Sequence, residues 1–146
     1  MKQVYLKCAL ATTIFAALLS FTQDSKPEKI SFQSDNLFPE GITYDTKKDL
    51  IYVSSLKQGK ISSVDKQGAC KTVCEDARLV STVGLKYNSK NNKIYVLNAD
   101  IGASAKSTAA SKYNLAQLAI IDVASAKLET LVDLSGLVAG KHFPND

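Results

Sequence analysis

The sequence has no tryptophan, a single histidine and, among its 18 basic residues, a single arginine, Arg78. Arginine is the side chain that binds phosphate and guanine with two parallel hydrogen bonds. A chain with one arginine therefore has few side chains suited to nucleic-acid recognition. The net charge of +4 falls to about +2 if Lys2 and Lys7 are removed with an N-terminal segment, as we expect below. A charge that small gives no reason to expect a nucleic-acid partner.

Glycine and proline are also few, with seven and three residues, and only three cysteines are present. With 45% hydrophobic and 22% charged residues, this is an ordinary globular composition. It excludes a collagen-like chain, a disulfide-rich mini-protein and a mostly disordered chain.

The N-terminus has the pattern of an export signal. An uncharged apolar run of 12 residues, 8–19, follows Lys2 and Lys7. That length matches a signal-peptide core and is too short to span a bilayer. The alternative is a buried N-terminal helix, but the polar stretch QDSKPEK that follows favours a linker. We therefore predict a signal peptide at 1–23 and a linker or edge segment at 24–36. The mature protein is expected to be secreted or periplasmic, with no membrane association after signal removal.

Cys70 and Cys74 then remain in the mature chain, within a stretch, ACKTVC, that is typical of a strand. Positions i and i+4 of a strand lie roughly 13 Å apart, whereas the Cα atoms of a disulfide lie at most about 7 Å apart. We predict that the two thiols are unpaired. With no histidine beside them, a zinc site would lack ligands.

The chain contains an internal repeat. GITYDTKKDLIYVS at 41–54 and GLKYNSKNNKIYVL at 84–97 share their pattern at an offset of 43 residues. Within each unit, alternating apolar residues, turn clusters and short apolar runs predict four strands in about 40 residues. A repeat of this length and pattern is typical of a propeller blade.

The predicted fold is therefore all-β, an incomplete β-propeller that occupies 37–146. Blade 1 covers about 37–76 and blade 2 about 77–134, with a loop inserted at 102–114, and a third blade starts at about 141–146. Continuous apolar runs need neighbours on both faces of a sheet, so one face of each terminal blade is expected to be bare. We interpret the chain as part of a longer protein or a truncated reading frame. The alternative is a complete small β-sandwich.

Antiparallel alternation places several connections at one end of the blades. The loops at 39–40, 80–83 and 141–146 and the insertion at 102–114 are predicted to share one rim. Glu40 and Asn145 occupy equivalent positions there, at an offset of 105 residues. Carboxylate and amide oxygens are ligands for calcium, although residues of these types in loops are also often merely solvated.

The motifs FPEGI at 38–42, IYVSS at 51–55 and HFPND at 142–146 carry a family resemblance. Residues 37–146 resemble the first half of the senescence marker protein, gluconolactonase and luciferin-regenerating enzyme family. The resemblance implies a six-bladed propeller with one divalent cation, calcium or zinc, on the channel axis, and hydrolysis of sugar lactones or related esters.

By position, Glu40 resembles the first metal ligand of the family and Asn145 its mid-chain ligand. The family's Asp, which is a ligand and the presumed base, would lie beyond residue 146. His142 and Asp146 are placed near the substrate by loop position only, and an exposed loop histidine is also often inert. Thr82 and Val83 stand where enzymatic members tend to have a polar Asn, and Val83 can neither coordinate metal nor hydrogen-bond a substrate.

Two functions remain open from the sequence. The first is a divalent-metal-dependent lactone or ester hydrolase, of which this chain is the N-terminal part and which alone is expected to be inactive. The second is a non-catalytic secreted propeller that binds a ligand or protein partner through the rim, with residues 102–114 as a contact loop or lid.

Overall fold

The computed structural model describes residues 27–137 and 139–145, so the predicted signal peptide lies outside the described residues. The described chain is all-β, with a short 3-10 turn near its C-terminal end. Within this range, no helix has the length and apolar character needed to cross a bilayer. The strands are β1 (Ile42–Asp45), β2 (Leu50–Ser54), β3 (Lys60–Val64), β4 (Cys70–Glu75), β5 (Ser81–Asn88), β6 (Lys93–Ala99), β7 (Ala116–Asp122) and β8 (Lys127–Asp133).

The strands form two separate sheets of four. In the first sheet the order is β1-β2-β3-β4 and in the second it is β5-β6-β7-β8, with every neighbouring pair antiparallel. Each strand therefore pairs with the next along the chain. The predicted all-β class with four-stranded antiparallel units is confirmed, and the two sheets do not close on themselves.

The repeat extends to the hydrogen bonds of its first hairpins. The hydroxyl of Tyr44 donates to a carboxylate oxygen of Asp49, and that of Tyr87 donates to Asn92 Oδ1 at 3.1 Å. Asp49 and Asn92 have the same left-handed backbone, with φ of 55°. Asp and Asn tolerate this conformation better than most residues. The aligned D/N positions of the sequence repeat are thus the same turn, built twice.

The main core lies between the two sheets, which pack face to face. The rings of Tyr52 and Tyr87 meet across it, with centroids 5.3 Å apart and planes tilted by 50°. Such a tilted aromatic pair contributes beyond the area it buries. The buried residues of this core are Tyr52, Ile61, Cys74, Leu79, Ile94, Val96, Ala119, Ile121 and Leu128.

A second, smaller core covers the opposite face of the first sheet. Leu37 is buried against Val53 and Val64, and Ile30 and Phe32 pack around them. The expectation that this face is bare is therefore wrong around Val53 and Val64, because part of the segment predicted as a linker lies against them. Ile42 and Tyr44, on the β1 side of the same face, are exposed. No strand is assigned at 27–41, so apolar side chains rather than a strand ladder hold the segment there.

The structure also differs from the sequence prediction at 80–83, which was expected to be a loop. β5 begins at Ser81, so Thr82 and Val83 are strand residues with fully buried side chains. The reason is a set of bonds to the first sheet. Thr82 N donates to Ser55 O at 3.2 Å, Ser55 N donates to Thr82 Oγ1 at 2.8 Å, and Thr82 Oγ1 donates to Lys60 O at 2.8 Å.

Cys70 and Cys74 are both free, as predicted. They lie on β4, where Cys74 pairs with Ile61 and Cys70 with Val64. Burial raises the pKa of the Cys74 thiol, with the nearby Asp76 charge adding to the effect. Cys74 therefore behaves as a small apolar core residue.

Gly59 lies where the β2–β3 connection approaches the second sheet. It has a φ of +58°, and an added Cβ would overlap the carbonyl oxygens of Leu79 and Val80. We expect Gly59→Ala to lower the free energy of unfolding by about 2 to 4 kcal/mol, because strain and a backbone clash add. Urea denaturation measures this. Gly136→Ala, at a site with nothing within 4 Å of the new methyl group, is the control, and an equal loss in both variants would contradict the packing described here.

Candidate functional site

The connections predicted to share one rim do lie together. Leu56 N, in the β2–β3 connection, donates to Phe38 O at 3.0 Å. Ser81 Oγ, at the start of β5, donates to Leu56 O at 2.8 Å. The approach to β1, the β2–β3 connection and the approach to β5 are therefore in direct contact.

The insertion and the C-terminal segment belong to the same rim. Ala105 N donates to Lys57 O at 3.0 Å, which ties the β6–β7 connection to the first sheet. His142 N donates to Tyr113 O at 2.8 Å, which ties the C-terminal segment to the insertion. All four predicted segments thus meet at one end of the two sheets, as far as the described residues show.

The two residues predicted as metal ligands, Glu40 and Asn145, are exposed at this rim. Two oxygens do not complete a calcium site, which takes six to eight ligands. Within 27–137 and 139–145, no group of three His, Cys, Asp or Glu residues is arranged to hold a metal ion. The residues present therefore fit part of a site at most, and the other ligands would have to come from elsewhere.

Of the two residues predicted near the substrate, Asp146 lies outside the described residues. His142 is half-buried and lines an open groove of about 290 Å³ together with Leu134, Phe143 and Pro144. Lys141 also lines the groove, and its ammonium lies 5.5 Å from the centre of the Tyr113 ring. A groove of this size, mostly apolar with a few polar groups, is at the lower end of the range for small-molecule sites.

Asp100 is the organising residue of the insertion, and sequence reasoning missed it. Its fully buried carboxylate accepts hydrogen bonds from Gly102 N at 2.7 Å, Ser107 Oγ at 2.6 Å and Ser111 Oγ at 2.7 Å. Burial alone raises the pKa of this carboxyl, but the hydrogen bonds from Ser107, Ser111 and the backbone outweigh it and hold the pKa below its usual value. The turn signal D-x-G and the serines that follow were the available clue.

Lys106 joins the same loop to the first sheet. Its ammonium donates to Leu79 O at 3.0 Å, to Asp76 O at 3.2 Å and to Gly59 O at 3.4 Å. Ser104 Oγ adds a bond to Lys57 O at 3.2 Å. A lid motion of this part of the insertion would break these bonds. Most of the exposed residues of the insertion lie from position 108 onward.

The β4–β5 connection, which leads into the rim, is held by the buried side-chain amide of Asn98. Its Oδ1 accepts from Val80 N at 2.8 Å, and its Nδ2 donates to Arg78 O at 3.0 Å and to Gln117 Oε1 at 2.9 Å. Arg78 in turn pairs with Asp76, and its hydrogen bonds lower the pKa of that carboxyl to about 2. These contacts are structural and keep the β4–β5 connection in place.

Comparison with protein-family models finds no match for the chain, and comparison with curated proteins finds no significantly similar sequence.

We expect Asp100→Asn to lower the free energy of unfolding at pH 7 by about 1 to 3 kcal/mol, because an amide cannot accept all the hydrogen bonds that the carboxylate accepts. The folded-state pKa of Asp100 is lowered. The stabilisation by the Asp100 carboxylate is therefore complete at a pH above the unfolded-state pKa of about 3.9. It is lost as the pH falls through the lower pKa of the folded state. Denaturation curves between pH 2 and pH 7 measure this, with exposed Asp35→Asn as the control. If the difference in unfolding free energy between the wild type and Asp100→Asn does not become smaller in acid, the stabilising role of the Asp100 carboxylate is contradicted.

Lys106→Met keeps the length of the side chain but removes the three donated hydrogen bonds. We expect a loss of about 1 to 3 kcal/mol in unfolding free energy, because buried carbonyls lose their partner, and faster amide exchange at residues 104–107. Lys90→Met, on an exposed turn, serves as the matched control. Equal exchange rates in the two variants would show that the insertion is not held by Lys106.

Proposed function

We propose that the two sheets are consecutive blades of a β-propeller and that the chain is the N-terminal part of a gluconolactonase-like protein, exported to the periplasm or secreted. The support is the face-to-face packing of two meanders with the same hairpin turns. In this proposal residues 141–146 open a third blade. The proposed gluconolactonase-like function rests on the motifs FPEGI, IYVSS and HFPND, which carry the family resemblance.

In complete form, the protein is proposed to be a divalent-metal-dependent hydrolase of a sugar lactone or related ester. Glu40 and Asn145 would hold the cation, calcium or zinc, through their side-chain oxygens at the rim. When bound, a divalent cation polarises the ester carbonyl and lowers the pKa of a bound water. His142 would contact the substrate in the rim groove, and Asp146, four residues further along the same segment, would also bind it. The observation that carries the proposal is that the loops bearing Glu40 and His142 belong to one rim, where the β2–β3 connection and the insertion join them.

A second candidate function is a non-catalytic propeller that binds a ligand or protein partner through the same rim. One observation favours it. Thr82 and Val83 stand where enzymatic relatives tend to present a polar residue, yet both are buried in β5, and Thr82 uses its hydroxyl to join the sheets. Neither side chain is available to a substrate, so the second blade contributes no ligand at this position.

Titration calorimetry with calcium and zinc, together with a panel of sugar lactones, tests the hydrolase on the complete protein. We expect metal binding at one site per molecule, with at least a tenfold weaker affinity in Glu40→Ala, since a carboxylate ligand is lost. Glu28→Ala removes another exposed glutamate, near the opposite ends of the sheets, and should bind metal normally. Metal-independent behaviour and no turnover of any lactone would favour the binding module.

A further inference from the structure

The repeat relates the two faces of the first sheet to the two faces of the second. Tyr52 corresponds to Tyr95 at an offset of 43 residues, and Ile61 corresponds to Leu118 at an offset of 57. Tyr52 and Ile61 are buried between the sheets. Tyr95 and Leu118 line an open groove of about 330 Å³ on the far side of the second sheet. We call this far side the open face, and its residues are Tyr95, Leu97, Leu118, Ile120 and Val132.

Strand pairing extends this equivalence to the fourth strand. Ile61 pairs with Cys74 in the first sheet, and Leu118 pairs with Val132 in the second. Cys74 is buried in the contact between the sheets, whereas Val132 is 41% exposed. The open face of the second sheet is thus equivalent, through the repeat, to the apolar surface with which the first sheet binds the second.

The complementary surface is present on the outer side of the first sheet. Leu85 and Tyr87, on β5, pack against the core between the sheets. Their equivalents at an offset of 43 residues are Ile42 and Tyr44, on β1, which are 68% and 38% exposed. With Ile51 they line a groove of about 480 Å³. We call Ile42, Tyr44 and Ile51 the receiving face.

We propose that the open face of one copy of this chain binds the receiving face of a second copy, head to tail, by repeating the contact between its own two sheets. The argument is continuity with an interface that the molecule already contains. The ring contact between Tyr52 and Tyr87 then recurs between Tyr95 of one copy and Tyr44 of the next. This inference concerns the 146-residue chain and does not depend on the hydrolase. In a longer protein with a third blade, as proposed above, that blade would occupy the open face and the contact between copies would not form.

A head-to-tail contact either closes into a ring or runs on into a filament. Two to four copies bring the number of sheets into the range of about four to eight at which propellers close. The segment that covers Val53 and Val64 also packs against Ile51 of the receiving face and must move away for complete contact, so it competes with the second copy. We therefore expect assembly that depends on protein concentration and ends at two to four copies.

Sedimentation velocity of the purified full chain over a concentration series tests this. The chain should shift from monomer to a closed species of two to four copies. Ile42→Lys removes the receiving face and Leu118→Lys the open face, and each alone should remain monomeric. Ser89→Lys adds the same charge on an exposed hairpin turn and should assemble like the wild type. Circular dichroism checks that each variant keeps its sheets, and Val132→Lys replaces Leu118→Lys if that variant is unfolded.

Mixing the two blocked variants identifies the direction of the contact. Ile42→Lys retains its open face and Leu118→Lys retains its receiving face, so an equimolar mixture should form a one-to-one dimer. A wild-type chain that stays monomeric up to its solubility limit overturns the proposal. So does a mixture in which the blocked variants remain monomers, because the contact would then join identical faces or lie elsewhere.

Discussion

The contact between the two sheets is the constraint on which the rest of the structure depends. A four-stranded meander with apolar residues on both faces cannot bury them by itself. Here one face of each sheet is covered by the other, through the Tyr52–Tyr87 pair and the core around it. At the rim end the polar pair Ser55 and Thr82 sets the register of this packing, because their backbone and hydroxyl groups satisfy one another across the sheets.

That packing also determines what the rim can present. With the sheets packed in this way, the β2–β3 and β4–β5 connections hold the insertion after Asp100. Lys106 donates to Gly59 O in the first connection and to carbonyl oxygens at both ends of the second. The groups that fix the insertion are turned inward and are not available to a ligand. The polar side chains that the rim exposes to solvent therefore include Glu40 in the approach to β1 and Lys112 and Asn114 in the insertion, with the half-buried His142 in the C-terminal segment.

Much of the fold could be predicted from the sequence, because a repeat shows its turns directly. Asp49 and Asn92 stand at the same place in the repeated motif and have the same backbone. Thr82 was misplaced in a loop because nothing local distinguishes a loop residue from a strand residue whose partners, Ser55 and Lys60, are more than 20 residues away. The cover over the first sheet was missed for the same reason. Ile30 and Phe32 alternate with polar residues over only a few positions, and nothing local shows what they pack against.

For the rim, the sequence predicted which loops meet but not how they are held. The bonds of Asp100 and Lys106 depend on where the chain returns after the insertion, which composition and spacing do not specify.

The claim that one shared core makes the two sheets a single unit is tested most directly by native-state hydrogen exchange. We predict that amides of Ile61 in β3 and Ile121 in β7, both fully buried in that core, open with the same free energy and the same denaturant dependence. Exchange of Ile61 through a low-energy opening that leaves Ile121 protected would contradict the account.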